Sequence, residues 1–537
     1  MPCKRSSSGS DGTVVNWRSS TRNSLPFTLW MTDHQMNLRI SEEFGSYYHR
    51  LPLRTSPNIV FGPEKGNALR IDWSAVVDPK DLSFILGNPP FVGKKEQTQS
   101  QKAEVMRTFD SVRGAGVLDY VACWYRLAAD YMAGNPAIRA AFVSTNSITQ
   151  GEQVGILWKD LESRGVRIHF AHRTFQWSSE ARGKAAVHCV IIGFSLHDIL
   201  EKRLFDYETP KSEPHELGVA KINPYLVDAE NVFIEARRDP ICRNIPAMAY
   251  GSMPIDNGCL LLSLAERDQL IAEEPGAAPW IRQILGADEF INRISRYSLW
   301  LKDCPPETVR DLNRVRERVA ACREFRLQSN RPQTRALAGT PQLFGEIRQP
   351  SKSFLLVPKV SSENRIFLPI GFVIPEIIAL GTTLIVPDAE LVHFGVLSST
   401  MHMAWMRAVC GRLESRYQYS AGIVYNNFPW PEPTEAQRRA IEAAAQEVLD
   451  ARAKFPGSTL ADLYDPVTMP PELARAHADL DKAVDKAYGR TAFASEMERV
   501  AFFFERYEAL TRPLLPPTRS GRKRCGSGGP KRSSARE

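Results

Sequence analysis

The chain has no Cys-x-x-Cys pair. Its nine cysteines are scattered, so neither a zinc site nor a disulfide framework is indicated, and no metal site is expected. It also lacks any apolar run long enough to span a bilayer, and no signal peptide opens it, so a cytoplasmic protein without membrane contact is expected. A broad basic surplus is missing too. Of the net charge of +7, the stretch from Arg519 to Glu537 carries +6 and Met1 to Pro26 carries +3, which leaves the body at −2. Any nucleic-acid surface must therefore be a local patch, and bulk charge is no argument for one. There is no internal repeat. What remains is a 537-residue chain of ordinary globular composition, long enough for two to four domains with real cores.

Both ends, residues 1–26 and 513–537, are rich in Ser, Gly and Arg without apolar periodicity, which predicts disordered tails. From Phe27 to Phe205, strand-like and helix-like segments alternate. Strands are predicted at Ala68–Trp73, Ser83–Leu86, Arg139–Thr145, Val166–Ala171 and Ala186–Phe194. Helices are predicted at Val117–Met132 and at Glu152–Ser163, the latter closed near Gly165. Such alternation implies an α/β domain with a mostly parallel, doubly wound sheet. Residues 206–433 are less regular, with a charged helix at Arg310–Phe325 and strands at Phe354–Val360 and Phe367–Val373. Residues 434–512 read as amphipathic helices, including Thr434–Ala453 and Pro471–Tyr488.

The most informative segment is Asn88-Pro89-Pro90-Phe91, directly after the apolar run Phe84-Ile85-Leu86 and Gly87. Open α/β sheets place their sites in loops at the carboxyl ends of strands. Two prolines remove two backbone donors and keep the chain extended. What remains is an acceptor array, the Asn88 amide oxygen and the carbonyls of Asn88 and Pro89, which suits an exocyclic amino group. Phe91 adds a flat face on which a planar base or amide can stack. Other conspicuous residues have plainer readings. Asp119 and Tyr120 stand at a helix start as a cap and a core residue, and His169, His172 and His188 lie on strands without metal-ligand spacing. Trp405 and Met406 read as core, and Tyr425 to Trp430 as a packed loop.

Several stretches resemble the MmeI-like restriction–modification proteins. They are TDHQMNLRISEEFG (32–45), GNALRIDW (66–73), ILGNPPFVGKKEQ (85–97), GAGVLDYVACWY (114–125), MHMAWMRAVCGRLESRYQYS (401–420) and YNNFPWP (425–431). The resemblance implies a Rossmann-like, class I S-adenosylmethionine-dependent methyltransferase domain over 27–205. A mixed α+β target-recognition domain over 206–433 and a helical carboxyl-terminal domain over 434–512 would follow. It implies adenine-N6 methylation of double-stranded DNA with S-adenosylmethionine as cofactor. Asn88, Pro89, Pro90 and Phe91 then correspond to the clamp for a flipped adenine. Asn67 corresponds to a contact with the cofactor's adenine, and its other reading is a turn asparagine. Glu363 and Arg365, two apart on a segment read as extended, fall in the base-selecting stretch. Such a pair suits a cytosine–guanine base pair, and its other reading is a surface ion pair.

The family's nuclease domain is not found in the sequence. Nor is the strand, Gly-x-Gly turn and ribose-binding acid expected before Leu29, since Gly9 and Gly12 lie in a Ser-rich setting. The expectation is an amino-terminally truncated member with an incomplete methyltransferase sheet, an exposed apolar edge and weak cofactor binding, or a partner chain supplying the missing half. A DNA methyltransferase is the leading reading. A non-catalytic DNA-binding remnant is the second, and methylation of another substrate, such as a glutamine amide or RNA, is the third. The long recognition-like segment argues against the third.

Overall fold

The computed structural model describes residues 14–16, 25–45, 59–61, 67–177 and 187–512. The expected basic tail over 513–537, and Gly9 and Gly12, lie outside them. Within the other expected tail, Val14–Asn16 forms a strand paired in parallel with Ile59–Phe61, as β-branched valines favour. Helix α1 (Leu25–Phe44) follows.

A six-stranded sheet organises the first half of the chain. Its strands are β1 (Phe84–Gly87), β2 (Arg139–Thr145), β3 (Arg167–Trp177), β4 (Val187–Ser195), β5 (Lys202–Tyr207) and β6 (Pro214–Val219). Their spatial order is β1-β2-β4-β3-β5-β6. The pairs β1–β2 and β3–β5 are parallel, while β4 runs antiparallel to both its neighbours and β6 runs antiparallel to β5. The sheet is therefore mixed, not mostly parallel: the β3–β4 pair is a hairpin-like return between β2 and β5. Because β1, β2 and β3 run the same way, Gly87, Thr145 and Trp177 end at one edge.

Helix α2 (Gln99–Thr108) packs against α3 (Ala122–Met132), and α3 and α4 (Gly151–Ser163) pack with the sheet. Tyr125 of α3 is fully buried, stacked on Phe194 at 5.3 Å between ring centres and bonded to the Ser144 hydroxyl at 2.8 Å. Trp158 of α4 meets the same ring edge-on at 5.8 Å, which ties both helices to one aromatic centre. By contrast β1 is an edge strand among the described residues, with Phe84 and Leu86 62% and 76% exposed. Apolar side chains on an open edge strand are uncommon.

Two sequence expectations fail locally. Ala68–Trp73 is a turn, not a strand: the Asn67 side chain accepts from the Leu69 N–H at 3.0 Å, and Asp72 caps a 3₁₀ turn at Trp73–Ala75. The helix expected from Val117 starts only at Ala122, because residues 118–120 serve another role described below.

The stretch over 206–433 is built largely from small sheets. One orders Leu261–Ser263, Arg296–Leu299, Ile281–Leu285 and Ile378–Ala379. Another places β7 (Phe354–Pro358) between β8 (Gly371–Val373) and β9 (Thr383–Pro387), with Ala249–Tyr250 beyond β9. A third joins Val360–Ser361 to the hairpin β10 (Gly411–Leu413) and β11 (Arg416–Gln418). The charged helix is broken: Leu312 is extended between Pro306–Asp311 and α5 (Asn313–Leu327). Helix α6 (Leu391–Leu397) leads into α7 (Thr400–Val409), which buries Trp405 and Met406, and Trp405 lies among Phe428, Phe503 and Tyr507. The loop from Tyr425 is packed as expected. Asn426 Nδ2 donates to the carbonyls of Arg237 and Arg238, and Asn427 Nδ2 to those of Glu235 and Gly422.

Helices α8 (Glu435–Ala453), α9 (Pro471–Ala487) and α10 (Glu496–Thr511) close the described chain. Asp481 of α9 accepts from the Thr400 N–H at 2.7 Å. Burial pushes its carboxyl up to about 6. A raised folded-state value favours the protonated form, so its stabilising contribution is present at low pH and lost as pH rises through about 6. Asp481→Asn, which keeps the acceptor, should match the parent in urea unfolding at pH 4. At pH 8 it should be more stable by about 1–2 kcal/mol. Equal stability at pH 8 would contradict the assignment.

Candidate active site

The site is built on the end of β1. Gly87 lies opposite Phe142 in register, and a Cβ there would come within 3.1 Å of the Phe142 ring. Only glycine leaves the strand end and the aromatic ring this close without displacement. The chain then turns outward as Asn88 (exposed), Pro89 (buried), Pro90 (exposed) and Phe91 (half-buried). Among the described residues nothing bonds to the Asn88 carboxamide or to the Pro89 carbonyl. The four residues thus place the Asn88 carboxamide oxygen and the Pro89 carbonyl, two acceptors free among the described residues, beside a partly open aromatic ring at the carboxyl edge of the sheet.

The far side of this loop is held on residues 118–120. Val92 O accepts from the Tyr120 N–H at 3.0 Å, and the buried Gln97 amide donates to Val92 O at 3.3 Å and to Leu118 O at 3.0 Å. The Lys94 N–H donates to Asp119 Oδ1 at 3.1 Å. Asp119 is not a side-chain cap of α3, contrary to the sequence reading. Ser147 donates to its other oxygen, and its own N–H donates to Gln153 Oε1 at 2.8 Å. These partners are 25 to 34 residues apart, so no local pattern could have announced them. Tyr120 is buried as expected. Its hydroxyl donates to Glu104, and burial followed by that carboxylate raises its pKa well above the ordinary range.

Asn67 stands apart from the loop. Its Nδ2 donates to the buried Glu104 at 3.0 Å, and its Oδ1 serves the turn. Arg70 joins the same carboxylate at 2.6 Å, so the asparagine's polar groups are spent inside the protein.

Glu363 and Arg365 do not share a face. Residues 363–364 form a turn, and the extended premise fails because the chain reverses between Val360–Ser361 and β8. Burial opposes the charge of Glu363, but a Ser415 hydrogen bond and nearby His188 and Arg412 hold its carboxyl below the usual value. Arg365 reaches Ser361 Oγ at 3.2 Å instead, and burial lowers its pKa. No ion pair joins the two among the described residues.

The histidines are structural in their contacts. His169 bonds the His197 carbonyl at 2.8 Å, and His172 stacks on Phe205 at 4.2 Å. Among the described residues no cluster of three or more His, Cys, Asp or Glu could hold a metal, and no helix is long and apolar enough to cross a membrane. Two clefts of about 370 and 410 Å³ lie elsewhere. The first is lined by Arg167 and Lys202, at the starts of β3 and β5 and so at the sheet edge opposite Asn88.

The β10–β11 hairpin comes close to the carboxyl edge of the sheet at Gly151. Gly151, at φ +60, opens α4, and a Cβ on it would lie 3.1 Å from the Gly411 Cα of the β10–β11 hairpin. A side chain there would be strained by both backbone and space.

Comparison with known proteins matches three consecutive family models. Residues 22–206 match the MmeI DNA-methyltransferase domain, 228–432 the MmeI target recognition domain, and 433–515 the MmeI C-terminal domain. DNA methyltransferase A of Bacillus subtilis (strain 168) is 38% identical over 488 residues, which are 90% of this chain and 54% of that protein. A solved structure of the type IIL restriction-modification enzyme MmeI in complex with DNA is 51% identical. It has a TM-score of 0.80 and covers 90% of this chain and 64% of that one. The chain thus spans about half to two thirds of the length of these relatives.

Proposed function

Because the chain belongs to the MmeI family of restriction–modification proteins, with its methyltransferase, target-recognition and C-terminal domains in sequence, we propose that it is a DNA methyltransferase acting on the adenine amino group. The observation that carries the reading is the unpartnered carboxamide of Asn88 at the carboxyl edge of the sheet. An amino group placed there donates one hydrogen to Asn88 Oδ1 and the other to the Pro89 carbonyl. That pairing aims the nitrogen lone pair away from the loop, toward an incoming methyl group. Phe91 stacks on the base once it has left the duplex, which explains why a half-exposed aromatic ring closes the tetrapeptide. Proton removal needs no dedicated strong base, so the work of these residues is orientation.

The donor implied is S-adenosylmethionine, which supplies an electrophilic sulfonium methyl. The described residues do not complete a pocket for it. Their one Gly-x-Gly, Gly114-Ala115-Gly116, follows α2 and forms a 3₁₀ turn instead of following a strand of the sheet. Asn67 is engaged with Glu104. They supply the base side of the reaction and leave the donor side open, beside the exposed Phe84 and Leu86. That openness favours one second reading, a DNA-binding protein of this family without methyl transfer.

One assay separates the two. The purified chain is incubated with unmethylated duplex DNA and S-adenosylmethionine labelled in the methyl group, and DNA retention is measured in parallel. Label in the DNA supports the methyltransferase. Retention without label replaces it with the second reading, and neither result would remove both.

A further inference from the structure

We propose that Asp119 is a positioning residue that fixes the loop carrying Asn88, and so sets where the amino group is held. The proposal rests on reading that loop as the base clamp. Asp119 is 8% exposed, and among the described residues no lysine or arginine pairs with it. A buried carboxylate without a cation is expensive, and such a group persists where its hydrogen bonds do something a cheaper residue does not. Here one oxygen takes the Lys94 N–H at 3.1 Å, and the other takes the Ser147 hydroxyl. Ser147 is itself bonded to Thr145 Oγ1 at 2.8 Å, at the end of β2. Gln153, in the first turns of α4, holds the Asp119 N–H at 2.8 Å. The carboxylate therefore joins the loop to the end of β2 through Ser147, and the Asp119 backbone N–H is anchored on the start of α4 at the same sheet edge.

The mechanical consequence follows from the prolines. The loop is pinned at Gly87 by the β1–β2 register and at Lys94 by Asp119. Pro89 and Pro90 stiffen what lies between. A shift at the Lys94 end is then carried back to Asn88 instead of being absorbed on the way. Methyl transfer is sensitive to that shift, since a displacement of about 1 Å can cost about a hundredfold in rate.

The test compares Asp119→Ala, Asp119→Asn and Ser147→Ala in the full chain. It reads hydrogen exchange at the Lys94 amide, thermal midpoint, and kcat and KM for methyl transfer to unmethylated duplex DNA. Asp119→Ala should speed exchange at Lys94 by about tenfold or more, one lost hydrogen bond's worth. It should lower kcat by roughly 10- to 100-fold with KM for DNA unchanged. Asp119→Asn keeps an acceptor for Lys94 and can donate to Ser147, so it should recover most of both losses. Ser147→Ala should show a smaller rise in exchange, which keeps the test alive if Asp119→Ala fails to fold. Unchanged exchange at Lys94 in Asp119→Ala and Ser147→Ala would overturn the proposal. So would an Asp119→Asn variant with parental exchange and the full loss of kcat, because charge and not placement would then be what matters. If the parent labels no DNA, the clamp reading fails, while the exchange data still decide whether Asp119 holds the loop.

Discussion

Asn88→Ala should lower methyl transfer to DNA by roughly a hundred- to a thousandfold while leaving DNA affinity within about twofold. The carboxamide oxygen is the one acceptor in the loop that a side-chain change removes, and the Pro89 carbonyl alone cannot fix both the position and the rotation of an amino group. The variant should be well folded. Asn88 is exposed and bonds to nothing among the described residues, so its truncation opens no cavity and orphans no partner. The loss should fall on the chemical step, which single-turnover labelling against a parent that transfers methyl groups would isolate. DNA retention reports the rest. A near-parental rate would remove Asn88 from the role given to it.

Arg326→Met should destabilise the recognition region more than any other single change considered for this chain. The Arg326 side chain is fully buried without a carboxylate, and all five of its N–H donors go to backbone carbonyls. Nε and Nη2 hold Ile255 and Pro254, and the remaining bonds reach Leu337, Thr340 and Leu343 at 2.8 to 3.0 Å. The guanidinium is thus a rivet between the entry of this unit and the turn that follows α5. It also secures Ile255, a β-branched residue at φ 50, a conformation that costs on the order of 1–3 kcal/mol. Methionine would fill much of the volume but remove all five bonds. The carbonyls of Pro254, Leu337 and Thr340 would each keep a backbone N–H, and those of Ile255 and Leu343 would be stranded, for a loss on the order of 3–5 kcal/mol. Lysine has three donors and no planar fork, so Arg326→Lys should cost about half as much. The expected signature is protease sensitivity and fast hydrogen exchange confined to residues 251–347, with the sheet of β1 to β6 unaffected. Parental exchange in that stretch would show that the five bonds are dispensable.

The parts of this architecture that could be read from the chain are those set by neighbours in sequence. Asn88 to Phe91 announced a strand-end loop because strand, glycine and two prolines are contiguous. Helix α4 and its stop at Gly165, at φ +86, followed from periodicity and a left-handed residue. Burial of Trp405 followed from helical spacing, and the loop from Tyr425 is packed as its sequence suggested. What failed depended on distant partners. GNALRIDW has the composition of a strand, but Asn67 and Asp72 fold it into two successive turns and Trp73 donates back to Ala68 O at 2.9 Å. Leu118 to Tyr120 fit a helical pattern, yet their backbone is committed to Val92, Gln97 and Gln153. The direction of β4 could not be inferred from alternation alone, because its return follows a long β3 partner instead of a crossover helix. Glu363 and Arg365 looked paired by spacing, and a turn between them sends each to a different neighbour.

The central claim is that the acceptor array at Asn88 and Pro89 receives an adenine amino group. Its most direct test is the identity of the modified nucleoside. Unmethylated duplex DNA treated with the protein and labelled S-adenosylmethionine would be digested to nucleosides and resolved by mass spectrometry. The account predicts that the label resides in N6-methyladenine, and that Asn88→Ala removes it. Label in a methylated cytosine, or DNA that is bound by the protein and carries no label at all, would contradict it.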